Sequence, residues 1–209
     1  MGRQTRKQKQ AQTRGSLMRS ASKLFAERGL DNASIDDVAR EAGFTKGAFY
    51  ANFGSKEALF REMLDERFAK RTAEIKRLLA EESSDEEKAR RAGDDFAQML
   101  RSDPEWQRLL FEFTAYAVRN EDFRRELVAR RRILRDTVAA ALRERATELG
   151  LDPAVPIEQV ARMTGAMAAG FAVERMLEGD GVPDELFGTM LLVFFAGLRV
   201  LAADAAPAL

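Results

Sequence analysis

The chain contains neither cysteine nor histidine. Without cysteine there can be no disulfide, no thiolate nucleophile and no thiolate metal site. Without histidine the commonest transition-metal ligand and the commonest acid–base catalyst near neutral pH are also missing. Chemistry would fall to Asp, Glu, Lys, Tyr or Ser, so no catalytic residue, metal or cofactor is expected. The enzymatic alternative is a carboxylate-based helical bundle, but di-iron sites of that kind use Glu-x-x-His pairs. Proline is scarce, with five in 209 residues, and β-branched runs are few. Ala, Leu, Arg and Glu abound instead, a composition that points to an all-α chain. No apolar run follows the polar start, so no signal peptide is expected. The most apolar segment, 190–200, is short for a bilayer and is interrupted by Arg199. Neither a membrane partner nor a location outside the cytoplasm is therefore expected. The length allows a real core and lies between one and two domains.

A net charge of zero conceals an asymmetry. Residues 1–61 carry 12 basic and 6 acidic side chains, and the remainder carries 22 and 28. Within residues 1–30 eight basic residues face the single acid Glu27. A basic end joined to an acidic body suits a protein that places one end on a polyanion. Residues 1–14 (MGRQTRKQKQAQTR) are polar, basic and without periodicity, and read as a flexible arm that orders on a partner. Arg3, Arg6, Lys7 and Lys9 of this arm are placed to meet phosphates or a minor groove, a solvated tail being the plainer alternative.

The stretch that organises the chain is 34–60, SIDDVAREAGFTKGAFYANFGSKEALF. Ser34 is an N-cap with Asp37 in the acidic position of a capping box. Ile35, Val38, Ala39 and Ala42 recur at helical spacing, and Gly43 supplies the left-handed residue that ends the helix. Thr45 caps a second short helix, with Phe44, Ala48, Phe49 and Phe53 turned inward. Gly54 is its expected stop, and Ser55 caps a third helix. Two short helices with a glycine at the turn form a helix-turn-helix, whose second helix enters the DNA major groove. The residues left outside on that second helix, Thr45, Lys46, Gly47, Tyr50 and Asn52, are a poor set for helix stability. Gly47 alone costs about 1 kcal/mol relative to Ala. They suit a helix whose backbone must press against an anionic surface.

A first helix over 15–29, with Leu17, Ala21, Leu24 and Phe25 on one face, completes a three-helix unit. The sequence TRGSLMRSASKLFAERGLDNASIDDVAREAGFTKGAFYANFGSKEAL resembles, over roughly 47 residues, the DNA-binding domain of the tetracycline-repressor (TetR) family. The resemblance rests on the Leu-Phe-Ala-x-x-Gly ending of the first helix and the Ala-Gly-Phe-Thr-Lys-Gly turn. The Tyr-x-x-Phe pair and the Ser-Lys-Glu-x-Leu opening of the next helix complete it. It implies a recognition helix from Thr45 to about Ala51, with Ser34 at the head of the preceding helix among the DNA-facing residues. Lys46 would meet a guanine edge or a phosphate, Gly47 would allow close backbone approach, and Ala48 would touch a thymine methyl. Tyr50 and Lys56 match positions that hold backbone phosphates, and Phe49 and Phe53 match core positions. Ala51 departs from the aromatic or His often found there, so a phosphate contact is either missing or passed to Asn52.

The chain after this unit shows only a helical pattern. Helices are expected over 55–82, 86–101, 105–119, 122–149, 157–178 and 184–201, with an acidic loop at 81–88 and a two-proline turn at 150–156. The Arg130–Arg132 run reads as a solvated face, a second anion site being the sharper alternative. Small residues (Gly165, Ala166, Ala168, Ala169, Gly170) crowd the 157–178 helix and permit close approach of another helix. The last helix is apolar nearly all round, which suits cover from its own domain and from a second subunit. The family likewise dimerises through its two final helices. Ala166, Ala169, Gly170, Leu191, Phe194, Phe195 and Leu198 are the expected dimer interface. The full expectation is an N-terminal three-helix DNA-binding domain (15–60) and a C-terminal helical ligand-binding and dimerisation domain (61–209). Such a chain would act as a homodimeric repressor on a palindromic operator in double-stranded DNA, released by a small, largely apolar effector. Trp106, Phe113, Tyr116, Met163, Met167 and Phe171 are the candidate pocket lining. A helix-turn-helix regulator without any small-molecule ligand is the alternative within the same class.

Overall fold

The computed structural model describes residues 5–30, 32–144 and 155–205. Expectations for Arg3, for the end of the basic helix near Leu149 and for the start of the turn after it lie outside these residues. Among the described residues there are nine α-helices and no strand. They are α1 (Arg6–Arg28), α2 (Ile35–Glu41), α3 (Lys46–Asn52), α4 (Lys56–Leu79), α5 (Asp85–Ser102), α6 (Pro104–Arg119), α7 (Glu121–Glu144), α8 (Ile157–Glu178) and α9 (Leu186–Ala205). The chain separates into two compact units, Met1–Arg67 with Glu105–Leu127, and Phe68–Pro104 with Val128–Leu209. In the first unit α6 and the head of α7 therefore join the N-terminal helices.

An aromatic cluster explains that grouping. Phe60 of α4 is fully buried and meets the rings of Phe25, Phe113, Tyr116 and Phe123. The rest of this core comes from Leu17, Ala21 and Leu24 of α1, Val38 and Ala39 of α2, Phe49 of α3, Phe53 beyond it, and Leu59, Met63 and Leu64 of α4. Each is spaced to fall on one face of its helix.

Helix α1 begins at Arg6, not near residue 15. Thr5 accepts from the Gln8 N–H at 3.2 Å, while the Gln8 side chain accepts from the Thr5 N–H at 2.8 Å, a closed capping box. Arg, Lys and Gln are good helix formers, and no proline interrupts them. The stretch read as a flexible arm is thus largely an exposed extension of α1. Gly29 (φ +76°) and Gly43 (φ +75°) end α1 and α2 in left-handed geometry as expected. Gly54 does not play that part for α3. The helix stops one residue earlier because Phe53 turns to extended backbone (φ −136°, ψ 126°) and buries its ring.

In the second unit α5 begins at Asp85, inside the stretch expected to be loop, because Ser84 and Glu87 form another capping box. Helices α5 and α9 cross at two glycines. A Cβ placed on Gly93 would lie 2.5 Å from the backbone nitrogen of Gly188 and 2.6 Å from its Cα. Around the crossing Phe96, Phe171 and Phe187 pack with ring centroids 4.9–6.0 Å apart. A neighbouring cluster joins Leu142, Val160 and Leu198. The turn before α9 is fastened by Arg175, which donates to the Val182 carbonyl and pairs with Asp184 at 2.8 Å.

The final helix is longer and more continuously apolar than the sequence reading allowed. Leu186–Asp204 spans 19 residues at mean hydropathy 2.1, long and apolar enough by length and composition to cross a membrane. Phe187, Leu191 and Leu198 of this helix are covered by the chain itself, while Val193, Val200 and Leu201 are more than half exposed.

Candidate nucleic-acid interface

Helices α2 and α3 are seven residues each, too short to persist alone in water. Local caps and the aromatic core hold them. The Ser34 hydroxyl accepts from the Asp37 N–H at 3.1 Å and donates to the Asp37 carboxylate at 2.6 Å, which also accepts from the Ser34 N–H at 3.2 Å. Thr45 accepts from the Ala48 N–H at 3.2 Å. Lys23 of α1 pairs with Glu41 of α2 at 2.7 Å. Hydrogen bonds from the Ser34 hydroxyl, then from its backbone N–H, hold the Asp37 carboxyl below its ordinary value. The Lys23 ammonium does the same for Glu41, by hydrogen bond and by charge.

A carboxyl depressed in the folded state adds stability above its unfolded pKa and loses it as pH falls through the folded one. Thermal melts followed by circular dichroism should therefore show falling stability below about pH 4. Asp37→Ala should shrink that acid-side slope, and an unchanged slope would remove the cap from its cause.

The outer face of α3 carries the residues expected there. Lys46 opens the helix and reaches Asp36 of α2 at 3.1 Å, both side chains being more than half exposed. The hydrogen bond and the charge of Asp36 raise the Lys46 pKa. Tyr50 is 49% exposed with its ring edge-on to buried Phe49. Gly47 is exposed, and a Cβ there would meet only Thr45 Oγ1 at an ordinary 3.7 Å. The fold does not require glycine at 47, although Ala would favour the helix by about 1 kcal/mol. Ala48 is half-buried. The Asn52 amide donates to the Ala48 carbonyl at 2.8 Å, while its Oδ1 has no partner.

Lys56 is differently employed. Its ammonium donates to the Leu30 carbonyl at 2.7 Å and the Ala33 carbonyl at 3.2 Å, tying the α1–α2 turn to the head of α4. Only its third proton remains for a phosphate.

Sequence reasoning missed Arg14. Its guanidinium donates to the Asn52 carbonyl, pairs with Glu62 and lies 4.3 Å over the Phe53 ring. It thereby fixes α1 to the C-terminal end of α3 and to α4. All three partners lie far along the chain, so no local pattern announces them. At the other end of α1, a cleft of about 330 Å³ opens beside Gly29, lined in part by Glu27, Asn32, Glu112 and Tyr116.

Residues 17–63 match the family model described as "Bacterial regulatory proteins, tetR family". Residues 85–199, more than half of the chain, match "BetI-type transcriptional repressor, C-terminal". The chain belongs to the TetR family. That is a family of transcriptional regulators and not of enzymes. Among curated TetR-family relatives, the transcriptional activator FasR of Mycolicibacterium smegmatis is 29% identical over 99 residues, 47% of this chain and 45% of FasR. The match thus spans less than half of that relative's own length. Among solved structures, Salmonella enterica GusR superposes with a TM-score of 0.77 at 22% identity, over 90% of this chain and 95% of GusR. FadR from Bacillus subtilis, solved in complex with stearoyl-CoA, gives 0.74 at 14% identity over 88% and 97%. At these identities the likeness is one of fold.

The remaining expected residues of this TetR-family chain fall in both units. Trp106, Phe113 and Tyr116 belong to the first, and Met163, Met167 and Phe171 to the second. Phe113 and Phe171 are almost fully buried and Trp106 is 7% exposed, so each packs in a core. Tyr116 and Met167 are half-buried, and Met163 is exposed. Of the residues expected at a dimer interface, Leu191 and Leu198 are covered within their own chain and Phe194 and Phe195 are half-covered. Ala166, Ala169 and Gly170 are exposed.

Proposed function

We propose that the chain is a homodimeric repressor that holds a palindromic operator through α3 and releases it when a small, largely apolar ligand binds. The observation that carries the DNA part is the outer face of α3, where Lys46 and Tyr50 flank a glycine that the fold itself does not need. A helix with that face can bring its backbone against a groove, with Lys46 towards a base edge or phosphate and Tyr50 on the phosphate backbone. Ser34, Thr45 and Ala48 border the same face, and Asn52 and Lys56 lie at its far end. The match to a BetI-type repressor C-terminal region supports repression.

One α3 spans only a few base pairs, so a two-fold pair reading half-sites about one helical turn apart is the arrangement that yields specificity. The exposed Gly165, Ala166, Ala169 and Gly170 of α8, with Val193, Val200 and Leu201 of α9, support pairing through this face. A membrane would satisfy the same apolar residues of α9, but it would not account for the small residues of α8. A cytoplasmic location accompanies this reading. For the effector, half-buried Tyr116 keeps surface for a ligand within the first unit, whereas Phe113 on the same helix is wholly packed. A fold neighbour that carries stearoyl-CoA supports an apolar ligand class.

The test is selection from random duplex DNA, followed by sequencing, with wild type, Lys46→Ala and Tyr50→Ala. A palindromic site should be enriched by wild type, with altered base preference in the first variant and uniformly weaker binding in the second. Failure of wild type to enrich any site, at low as well as physiological salt, would end the DNA reading. The operator then serves a screen in which an apolar ligand raises the melting temperature and releases the duplex.

The Lys46–Asp36 pair adds a finer expectation. Asp36 competes with DNA for Lys46 and sets a negative charge beside the phosphates. Asp36→Asn should tighten binding to duplex of any sequence by about two- to fivefold at low salt, an exposed ion pair being worth up to about 1 kcal/mol. The gain should vanish at high salt. Equal binding at low salt would show that the pair does not restrain Lys46.

A further inference from the structure

The first two turns of α1 carry strong charge and pack against no core residue among those described. Residues 5–12 are exposed throughout. Arg6, Lys7 and Lys9 have no ion-pair partner among the described residues, and the first acid in the sequence is Glu27. A helix that buries nothing contributes little to stability, yet this one is closed by a complete capping box at Thr5 and Gln8. Its position is also fixed. Arg14 fastens the root of the extension to the Asn52 carbonyl, at the C-terminal end of the helix proposed to lie in the groove. From that root, eight residues of helix reach about 12 Å.

We infer that Arg6–Thr13 is a second, preformed DNA-contacting element, whose Arg6, Lys7 and Lys9 neutralise phosphates flanking those engaged by α3. The inference rests on the DNA reading of α3 and deepens it. The partner follows from charge. Three cations at positions 6, 7 and 9 of an acid-free helical segment, held beside a groove-binding helix, complement a polyphosphate track and not an apolar or acidic-peptide groove of limited length. A preformed helix avoids most of the ordering entropy that a flexible arm loses on binding. Such contacts position the protein and read no sequence.

The experiment uses the full chain and the operator obtained by selection, beside a scrambled duplex of equal length. Affinity is measured across salt for wild type and for the triple variant Arg6→Gln, Lys7→Gln, Lys9→Gln. Each phosphate contact contributes about 0.9 to the slope of log K against log salt. Loss of three contacts lowers the slope by about 2.7 for each bound protomer, so between about 50 and 200 mM salt the wild-type affinity should fall about 40-fold more per protomer than that of the variant. The loss should be equal on operator and scrambled duplex, with the selected sequence unchanged. Gln10→Pro retains every charge but breaks the extension, and it should weaken both duplexes severalfold. An unchanged slope in the triple variant, with wild type still binding its operator, would overturn this inference alone. Full binding by Gln10→Pro would overturn the preformed helix. Absence of any duplex binding by wild type would overturn the DNA reading and this inference with it.

Discussion

Phe60→Ala should lower the unfolding free energy by about 3–5 kcal/mol, the usual loss when a large aromatic is cut from a packed core. Phe60 is fully buried and its ring faces four others, drawn from α1, α6 and the head of α7. The cavity cannot collapse without moving one of those helices. Urea unfolding monitored by circular dichroism gives the number, and fluorescence of Trp106, the only tryptophan, reports on the same unit. Phe111, on α6 but 51% exposed, is the control, since Phe111→Ala should stay within about 0.5 kcal/mol. A loss below about 1 kcal/mol for Phe60→Ala would mean that the cluster does not tie α6 to the N-terminal helices.

Gly93→Ala should also be destabilising, although a methyl group is all it adds. Within an isolated helix this change gains about 1 kcal/mol. Here the new carbon would stand 2.5 Å from a backbone nitrogen of Gly188, and backbone cannot swing aside as a side-chain tip can. Helices α5 and α9 must part, loosening Phe96, Phe171 and Phe187 together. Overpacking of this kind costs about 1–3 kcal/mol, occasionally more, and outweighs the propensity gain. The comparison is Gly170→Ala, where a Cβ has nothing within 4 Å. That variant should stabilise the single chain, and if the α8 face pairs with a second copy it should weaken the dimer. Thermal melts at several protein concentrations separate the two effects. A Gly93→Ala protein as stable as wild type would show that α5 and α9 can part at no cost.

The helix-turn-helix was legible because its instructions are local. Ser34 with Asp37, Gly43, and Thr45 before Ala48 each act within a few residues, and the sequence names them directly. Spacing likewise identified the buried face of α1. What escaped was set by distance. The structural role of Lys56 was hidden, because its ammonium binds carbonyls 23 and 26 positions away. Arg14 looked like part of a loose arm because its partners lie 38 and 48 positions away. Two expectations failed for a local reason: the Thr5–Gln8 and Ser84–Glu87 boxes were in plain view, and the polar residues around them masked helices as arm and loop. The division into units was hidden because the aromatics of α6 reveal nothing of their partners by spacing alone.

Helix α1 is one uninterrupted rod of 23 residues, about 34 Å long. Arg14 pins it to α3 and α4 roughly a third of the way along. Mechanically this is a beam with unequal arms, about 12 Å from the pin to the Arg6 tip and about 21 Å from the pin to the Arg28 end. The long arm is clamped in the core by Leu17, Ala21, Leu24 and Phe25, so the short arm is a cantilever that carries its cationic tip at a fixed distance from α3.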